Sequence, residues 1–162
     1  KRLKLLNTNE YIKLDNIKLK LKSETKEAVI EELLEILIQN GDIDELDQPA
    51  ILDALLDREK KASTGIQHQI AIPHAKLKKI TEVKVAFGIH PKGIAFDSMD
   101  GKMSRIFVLT LSPSESTGPH IQFLAYICNL LKEEDCRQQL FAAGTPEEIF
   151  NILRNQKNGV PS

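Results

Sequence analysis

Two early segments of the chain repeat their apolar side chains at helical spacing. Residues 25–40 place aliphatic residues at every third or fourth position with lysine and glutamate between them, and Gly41 follows. This pattern predicts an amphipathic helix that ends at a glycine. Residues 48–60 repeat isoleucine and leucine in the same way, with Pro49 in the first turn, and therefore predict a second helix.

Two later segments are short and rich in β-branched and aromatic residues. They begin near Glu82 and Ser104, and the turn-forming sequence FDSMDGKM separates them, so they predict two core strands. Nearer the start of the chain, Ile17, Leu19 and Leu21 alternate with lysines. That alternation is typical of a half-buried strand with a lysine-rich solvent face.

The last third of the chain is predicted to be helical. After a loop, SPSESTGP, aliphatic residues continue in helical register, which places His120 at or just before a helix start. Shorter helices are predicted at 134–142 and 147–155. Strands and helices joined by short connections predict an α/β layer sandwich. We expect one domain over residues 1–162, with its core at about 10–156.

Composition excludes several classes of protein. The 22 Lys and Arg nearly balance the 23 Asp and Glu, so the chain offers no strong field for nucleic acid or an anionic membrane. No apolar run approaches the roughly 20 residues that span a bilayer, and no signal peptide is recognisable. Cys128 and Cys136 lack CxxC spacing and are expected to be reduced, partly buried thiols. We therefore expect a cytoplasmic protein without membrane insertion.

The candidate chemistry lies in STGIQHQIAIPHAKL, residues 63–77. Pro73 stiffens the backbone after a short apolar run, so His74 is predicted to lie at the end of a buried strand. A free imidazole has a pKa of about 6.5, so near neutral pH much of it is uncharged and keeps a nitrogen lone pair. Such a nitrogen can accept a phosphoryl group and later release it.

Phosphoryl transfer also needs cations or N–H donors around the phosphoryl oxygens. Arg58 is a candidate because its planar fork suits phosphate, although taken alone it is better explained as a solvated arginine at a helix end. Ser63 and Thr64 could give hydroxyl donors or form a simple turn.

Other kinds of site are less well supported. A zinc site could combine His68, His74 and His120, but the chain has no HExxH motif, Cys/His cluster or acidic pair near them. A serine hydrolase is weaker still, since G-x-S-x-G is missing. His90, between a strand and a turn, is expected at the surface.

Several linked segments resemble the enzyme IIA domain of the bacterial phosphoenolpyruvate-dependent sugar phosphotransferase system, in the fructose/mannitol class that includes the nitrogen-regulatory IIA protein. The central one, DREKKASTGIQHQIAIPHA, is similar to the family's Arg-Glu, Ser-Thr-Gly and Pro-His signature. GIAFDSMDGK, PHIQFLAYICNLLK and AAGTPEEIFNIL resemble its later blocks. The resemblance implies a central mixed β-sheet flanked by helices on both faces, a layer sandwich of the phosphotransferase/anion-transport-protein type. It also implies that the active histidine lies in a shallow cleft.

The resemblance also implies roles. His74 would take a phosphoryl group from the histidine phosphocarrier HPr, or a paralogue, and pass it to a cysteine of a IIB domain, without a metal or an organic cofactor. His120 would lie beside it and hold the phosphoryl group, and Arg58 would stabilise the phosphate. The alternative is a nitrogen-type regulator whose phosphorylation state controls binding to target proteins. A third possibility is a module that keeps the fold without being phosphorylated.

The chain departs from the family inside the signature. Gln67, His68 and Gln69 stand where the family commonly has Gly-Asn-Gly or Gly-His-Gly. Since only glycine adopts positive φ freely, these replacements restrict the backbone of the loop, and we expect His68 to shape the loop and not to accept phosphate.

Overall fold

The computed structural model describes residues 11–115 and 117–155. Residues 1–10 of the lysine-rich run, and both ends of the domain predicted over 1–162, lie outside the described residues. The described helices and strands, in chain order, are β1 (Ile17–Lys18), α1 (Lys26–Gln39), α2 (Gln48–Lys61), β2 (Ile70–Ala71), β3 (His74–Leu77), β4 (Lys84–Ile94), β5 (Ser104–Pro113), α3 (Thr117–Leu131), α4 (Glu134–Ala142) and α5 (Pro146–Asn155).

The strands form one mixed sheet, as predicted. Their order is β1-β4-β5-β2, and β3 also pairs with β5. The long strands β4 and β5 are antiparallel, β1 is parallel to β4, and β2 and β3 are parallel to β5. β2 and β3 therefore follow one another along the same side of β5, with Ile72 and Pro73 between them.

Helices cover both faces of this sheet, which confirms the α/β fold class. Alternate residues of β5 serve the two layers: Phe107 and Leu109 pack with α1 and α2, whereas Ile106 and Val108 pack with α3, α4 and α5. Complete burial of one such side chain contributes roughly 1.5–3 kcal/mol. Over the described part of the chain, no helix is both long and apolar enough to cross a membrane.

The ends of the first two helices follow from local chemistry. Thr25 caps α1, because its hydroxyl accepts a hydrogen bond from the N–H of Ala28 at 3.2 Å. Gly41, at φ +78°, turns the chain away after the helix. Pro49 lies in the first turn of α2, where a missing N–H costs nothing.

Two predictions about the bounds of elements differ from the structure. The predicted strand around Ile17 pairs over only two residues, although Leu21 is also buried. The SPSESTGP loop was predicted too long, since α3 begins at Thr117 and His120 lies within its first turn. Pro119 fits there because the first helical turn leaves its N–H groups without intrahelical acceptors.

His90 is buried, so its predicted surface position is wrong. Its Nε2 donates to the carbonyl of Ser23 at 2.8 Å, and its Nδ1 accepts from the N–H of Gly93 at 2.9 Å. Gly93 has φ +87°, which lets the chain fold back over the imidazole.

Both cysteines are free thiols, as expected. Cys128 is half-buried and Cys136 is buried. Burial raises the pKa of the Cys136 thiol to about 11 and also raises the pKa of Cys128. Both side chains therefore stay protonated near neutral pH.

Candidate active site

The main chain two residues before His74 orients the imidazole ring of His74. It is the first residue of β3, so the predicted strand end is the junction between two short strands. Its Nδ1 lies 2.8 Å from the carbonyl oxygen of Ile72. A carbonyl can only accept, so the ring proton lies on Nδ1 and the lone pair lies on Nε2.

His120 lies beside His74. The two ring centroids are 5.4 Å apart, with 51° between the ring planes. His120 is only 3% exposed, and its Nδ1 is 2.7 Å from the hydroxyl oxygen of Ser112 on β5. The structure thus brings together two histidines that are far apart in the sequence.

Both imidazoles line an open cleft of about 770 Å³ between α2 and α3, over the edge strand β3. Arg58 reaches the cleft from α2, and its Nη1 donates to the carbonyl of Ala62 at 2.6 Å. The remaining lining residues are Ala54, Asp57, Lys61, Ala75, Lys76, Ile121, Leu124, Ala125 and Cys128. The predicted trio His74, His120 and Arg58 therefore shares one cleft.

Burial is the main reason why both imidazoles stay neutral, and nearby cations add to its effect. Burial, followed by the charges of His74 and Lys76, lowers the pKa of His120 to about 4. Burial also lowers the pKa of His74, and the guanidinium of Arg58 adds to this effect. A neutral imidazole keeps the lone pair that a nucleophile needs, while the same cations attract an anion.

The α3 side of the cleft is apolar. Ile121 is 60% exposed, and Leu124 and Ala125 lie beside it along the helix. Exposed apolar side chains surrounded by polar groups are typical of a protein contact surface.

Glu59 supports the site from outside the cleft, and this role was not predicted from the sequence. Its buried carboxylate accepts from the N–H of Thr64 at 3.1 Å and from the Thr64 hydroxyl, and it lies 3.0 Å from Nζ of Lys26. It therefore ties the loop after α2 to the helix that carries Arg58. Its spacing was a usable signal, because Ile51, Leu55 and Glu59 fall on one face of α2.

The hydroxyls of Ser63 and Thr64 are not among the groups that line the cleft. Ser63 donates to the carbonyl of Phe96 at 2.6 Å and accepts from the N–H of Gly65. Thr64 is bound to Glu59. In this structure both hydroxyls make loop contacts.

His68 lies away from the cleft, in a separate polar pocket with Gln67, Gln69 and Arg137. His68 and Gln69 have φ values of +65° and +66°, so two non-glycine residues of this loop adopt left-handed conformations. The zinc alternative needed His68 next to the other two histidines. Over the described residues, no group of three or more His, Cys, Asp or Glu side chains is arranged to hold a metal ion.

Residues 10–156 match the family model described as phosphoenolpyruvate-dependent sugar phosphotransferase system, EIIA 2. The chain belongs to this family. EIIA proteins of this system are phosphotransfer components. The family inferred from the Pro-His motif and its neighbouring segments is thus confirmed.

Relatives of this EIIA chain include sugar-specific and regulatory proteins. It is 38% identical to the fructose-specific EIIA component of Haloferax volcanii, over 80% of this chain and 82% of that protein. The crystal structure of nitrogen regulatory protein IIA-Ntr from Neisseria meningitidis superposes with a TM-score of 0.81 at 26% identity, covering 89% of this chain and 97% of that chain. A chain from the complex of enzyme IIA mannitol and phosphorylated enzyme IIB mannitol of Escherichia coli superposes with a TM-score of 0.75 at 26% identity, covering 90% and 98%.

Proposed function

We propose that this EIIA protein relays a phosphoryl group through His74, from an HPr-type phosphocarrier to a IIB protein. The observation that carries the proposal is the hydrogen bond from Nδ1 of His74 to the carbonyl of Ile72. It leaves Nε2 of His74 unprotonated, in a ring that lies beside His120. An uncharged, fixed imidazole nitrogen in a cleft lined by cations suits attack on phosphorus.

The relay consists of two balanced steps. In the first, the Nε2 lone pair of His74 attacks the phosphorus of the donor phosphohistidine. A new N–P bond forms while the donor N–P bond breaks, and its electron pair returns to the donor imidazole. In the second, a IIB cysteine thiolate attacks the same phosphorus. An S–P bond forms while the Nε2–P bond breaks, and the electron pair of the broken bond returns to Nε2 of His74. Side chains supply both nucleophiles and both leaving groups, so neither step calls for an organic cofactor.

His120 and Arg58 have supporting roles in this proposal. Both side chains line the cleft beside His74, and each can donate N–H groups to the oxygens of a phosphoryl group. Lys61 and Lys76 add positive charge to the same cleft. Because phosphoryl transfer depends on positioning and electrostatic stabilisation, these donors would act on the transition state.

The partners would bind in turn to the face that contains His74. The apolar side of α3 next to a cationic cleft suits transient, polar-rimmed contacts. The related IIA mannitol domain in complex with phosphorylated IIB supports a IIB partner. We place this relay in the cytoplasm and propose that residues 1–162 form a single EIIA domain.

A regulatory role is the second candidate, and the similarity to IIA-Ntr at a TM-score of 0.81 favours it. In that role the phosphorylation state of His74 would control binding to target proteins. The two functions differ in one step: a relay protein transfers its phosphoryl group to a IIB protein, and a regulator does not. A regulator would accept phosphate from the carrier and retain it until the carrier withdraws it.

The test is a phosphotransfer assay with phosphoenolpyruvate, enzyme I, an HPr-type carrier and candidate IIB proteins. Wild-type protein should acquire acid-labile phosphate, and His74→Ala should acquire none. A His68→Ala variant is the matched control, because His68 is exposed outside the cleft, and it should be labelled like the wild type. Labelling that persists in His74→Ala would refute the assignment of His74. Absence of labelling in the wild type would favour a module that keeps only the fold.

A further inference from the structure

We infer that Ser112 is a positioning residue for His120: its hydroxyl donates to Nδ1 and thereby keeps the ring proton on Nε2. This inference deepens the proposed function and rests on it for its effect on rate. It concerns a residue that touches neither the phosphoryl group nor the cleft.

The single proton of the Ser112 hydroxyl decides the direction of the bond. Its oxygen lies 2.7 Å from Nδ1 of His120. Over the described residues, the structure records no other hydrogen bond for this fully buried hydroxyl. If Nδ1–H were the donor, the hydroxyl would need a second acceptor for its own proton. Donation by Ser112 satisfies both groups and leaves Nε2 as the protonated nitrogen.

The position of Ser112 in the sheet makes it a rigid support. It lies near the end of β5, where it is paired in register with Lys76 of β3. His120 is in the first turn of α3, so this hydrogen bond connects the helix start to the sheet. It fixes the rotation of the imidazole as well as its tautomer.

The two histidines then present complementary ring nitrogens. His74 donates from Nδ1 to the carbonyl of Ile72 and keeps its lone pair on Nε2. His120 accepts on Nδ1 from Ser112 and keeps its N–H on Nε2. One ring can therefore attack phosphorus while its neighbour, although uncharged, donates a hydrogen bond to a phosphoryl oxygen.

Sequence pattern offers a signal for this role. The second half of strand β5 is mainly apolar, and its two buried polar residues are Thr110 and Ser112, which are two positions apart. Side chains at that spacing point to the same face of a sheet. Ser104 is equally buried at the other end of the strand, where its hydroxyl is bonded to that of Ser98. It is therefore a matched control.

The first measurement is the ¹⁵N NMR signature of the His120 ring in the unphosphorylated protein. The wild type should have its proton on Nε2, and Ser112→Ala should populate both tautomers. Ser112→Thr keeps the hydroxyl and should restore the wild-type signature, and Ser104→Ala should leave it unchanged. A wild-type ring protonated on Nδ1 overturns the inference, and this result needs no variant to fold.

The second measurement is the rate of phosphate uptake from the phosphorylated carrier. Ser112→Ala should slow it by about 5- to 10-fold, as expected for one neutral hydrogen bond, while Ser112→Thr recovers most of the rate. An unchanged tautomer and rate in a folded Ser112→Ala protein would overturn the inference. If the wild type took up no phosphate, the proposed relay would fail, whereas the tautomer measurement would still decide the role of Ser112.

Discussion

Thr110 lies directly opposite His74 in the parallel register of β3 and β5. Its backbone N–H donates to the carbonyl of Pro73 at 2.9 Å, so its main chain is paired. Its hydroxyl is buried and has no hydrogen-bond partner among the described residues. A buried hydroxyl without a partner costs about 1–3 kcal/mol, so this position beside His74 is not optimised for stability.

Replacing that hydroxyl should therefore not destabilise the protein. Thr110→Val keeps the β-branched shape and removes the unpaired group, so we expect the free energy of unfolding to be unchanged or to rise by about 1 kcal/mol. Urea denaturation measures it. Ser112→Ala is the comparison on the same strand face, and it should lower stability because it breaks a hydrogen bond. A loss of more than about 1 kcal/mol in Thr110→Val would contradict the prediction.

Stability should fall in mild acid because of His120. Its pKa is lowered from 6.5 to about 4, so between these values the unfolded chain binds a proton that the folded protein does not. The free energy of unfolding then decreases as the pH falls through this window. From pH 7 to about pH 5 this one residue should account for about 2 kcal/mol.

Urea denaturation at both pH values, with wild type and His120→Gln, isolates this contribution. The variant should lose less stability on acidification than the wild type. The lowered pKa of His74 adds a further decrease in the same direction in both proteins. Equal losses in the two proteins would show that the pKa of His120 is the same in the folded and the unfolded protein.

Arg58 should matter for rate and little for stability. Its recorded hydrogen bond is to the carbonyl of exposed Ala62 at a helix end, and we expect Arg58→Ala to change the free energy of unfolding by less than about 1 kcal/mol. The same variant should slow phosphate uptake about 10- to 100-fold, and Arg58→Lys should be intermediate because it keeps charge without the fork.

Lys60→Ala is the control for lost positive charge, since Lys60 is exposed on α2 and lines a different pocket. Its uptake rate should match that of the wild type. Arg58 has no role in transfer if both of its variants also show the wild-type rate.

The left-handed loop residues predict a gain in stability from glycine. Gln69 has φ +66°, which costs a non-glycine residue about 1 kcal/mol, so Gln69→Gly should raise the free energy of unfolding by up to that amount. Gln67 is not in the left-handed region, and Gln67→Gly should lower stability by adding freedom to the unfolded chain. Thermal unfolding measures both effects, and the midpoint temperature should rise in Gln69→Gly and fall in Gln67→Gly. A shift of the same sign in both would contradict the prediction.

Most of the helices could be predicted because their signals are local. Apolar periodicity, the Thr25 cap and Gly41 all lie within α1 or next to it, and they needed no knowledge of the rest of the fold. The pairing of β2 and β3 with β5 could not be predicted in this way, because each is short and depends on a distant partner. The burial of His90 likewise depends on the carbonyl of Ser23, which is far away in the sequence.

The same distinction between local signals and contacts made in the folded protein applies to the candidate site. The Pro-His motif marked His74 locally, since proline restricts its own backbone and that of its neighbour. The proximity of His120 came only from the family resemblance, because periodicity says nothing about contacts between β3 and α3. Glu59 and Ser112 make buried hydrogen bonds to residues five and eight positions away, and a charged or hydroxyl side chain in the sequence does not reveal its partner.

The cleft joins two helical layers that otherwise pack on opposite faces of the sheet. Arg58 belongs to the α1/α2 layer, and His120 belongs to the layer of α3, α4 and α5. An anion held by both side chains binds only when both layers are docked, so its binding free energy adds to the stability of the entire sandwich. A phosphoryl group on His74 that contacts both side chains would thus link the two layers at the sheet edge. Its transfer to a partner would remove that contribution to the stability of both layers.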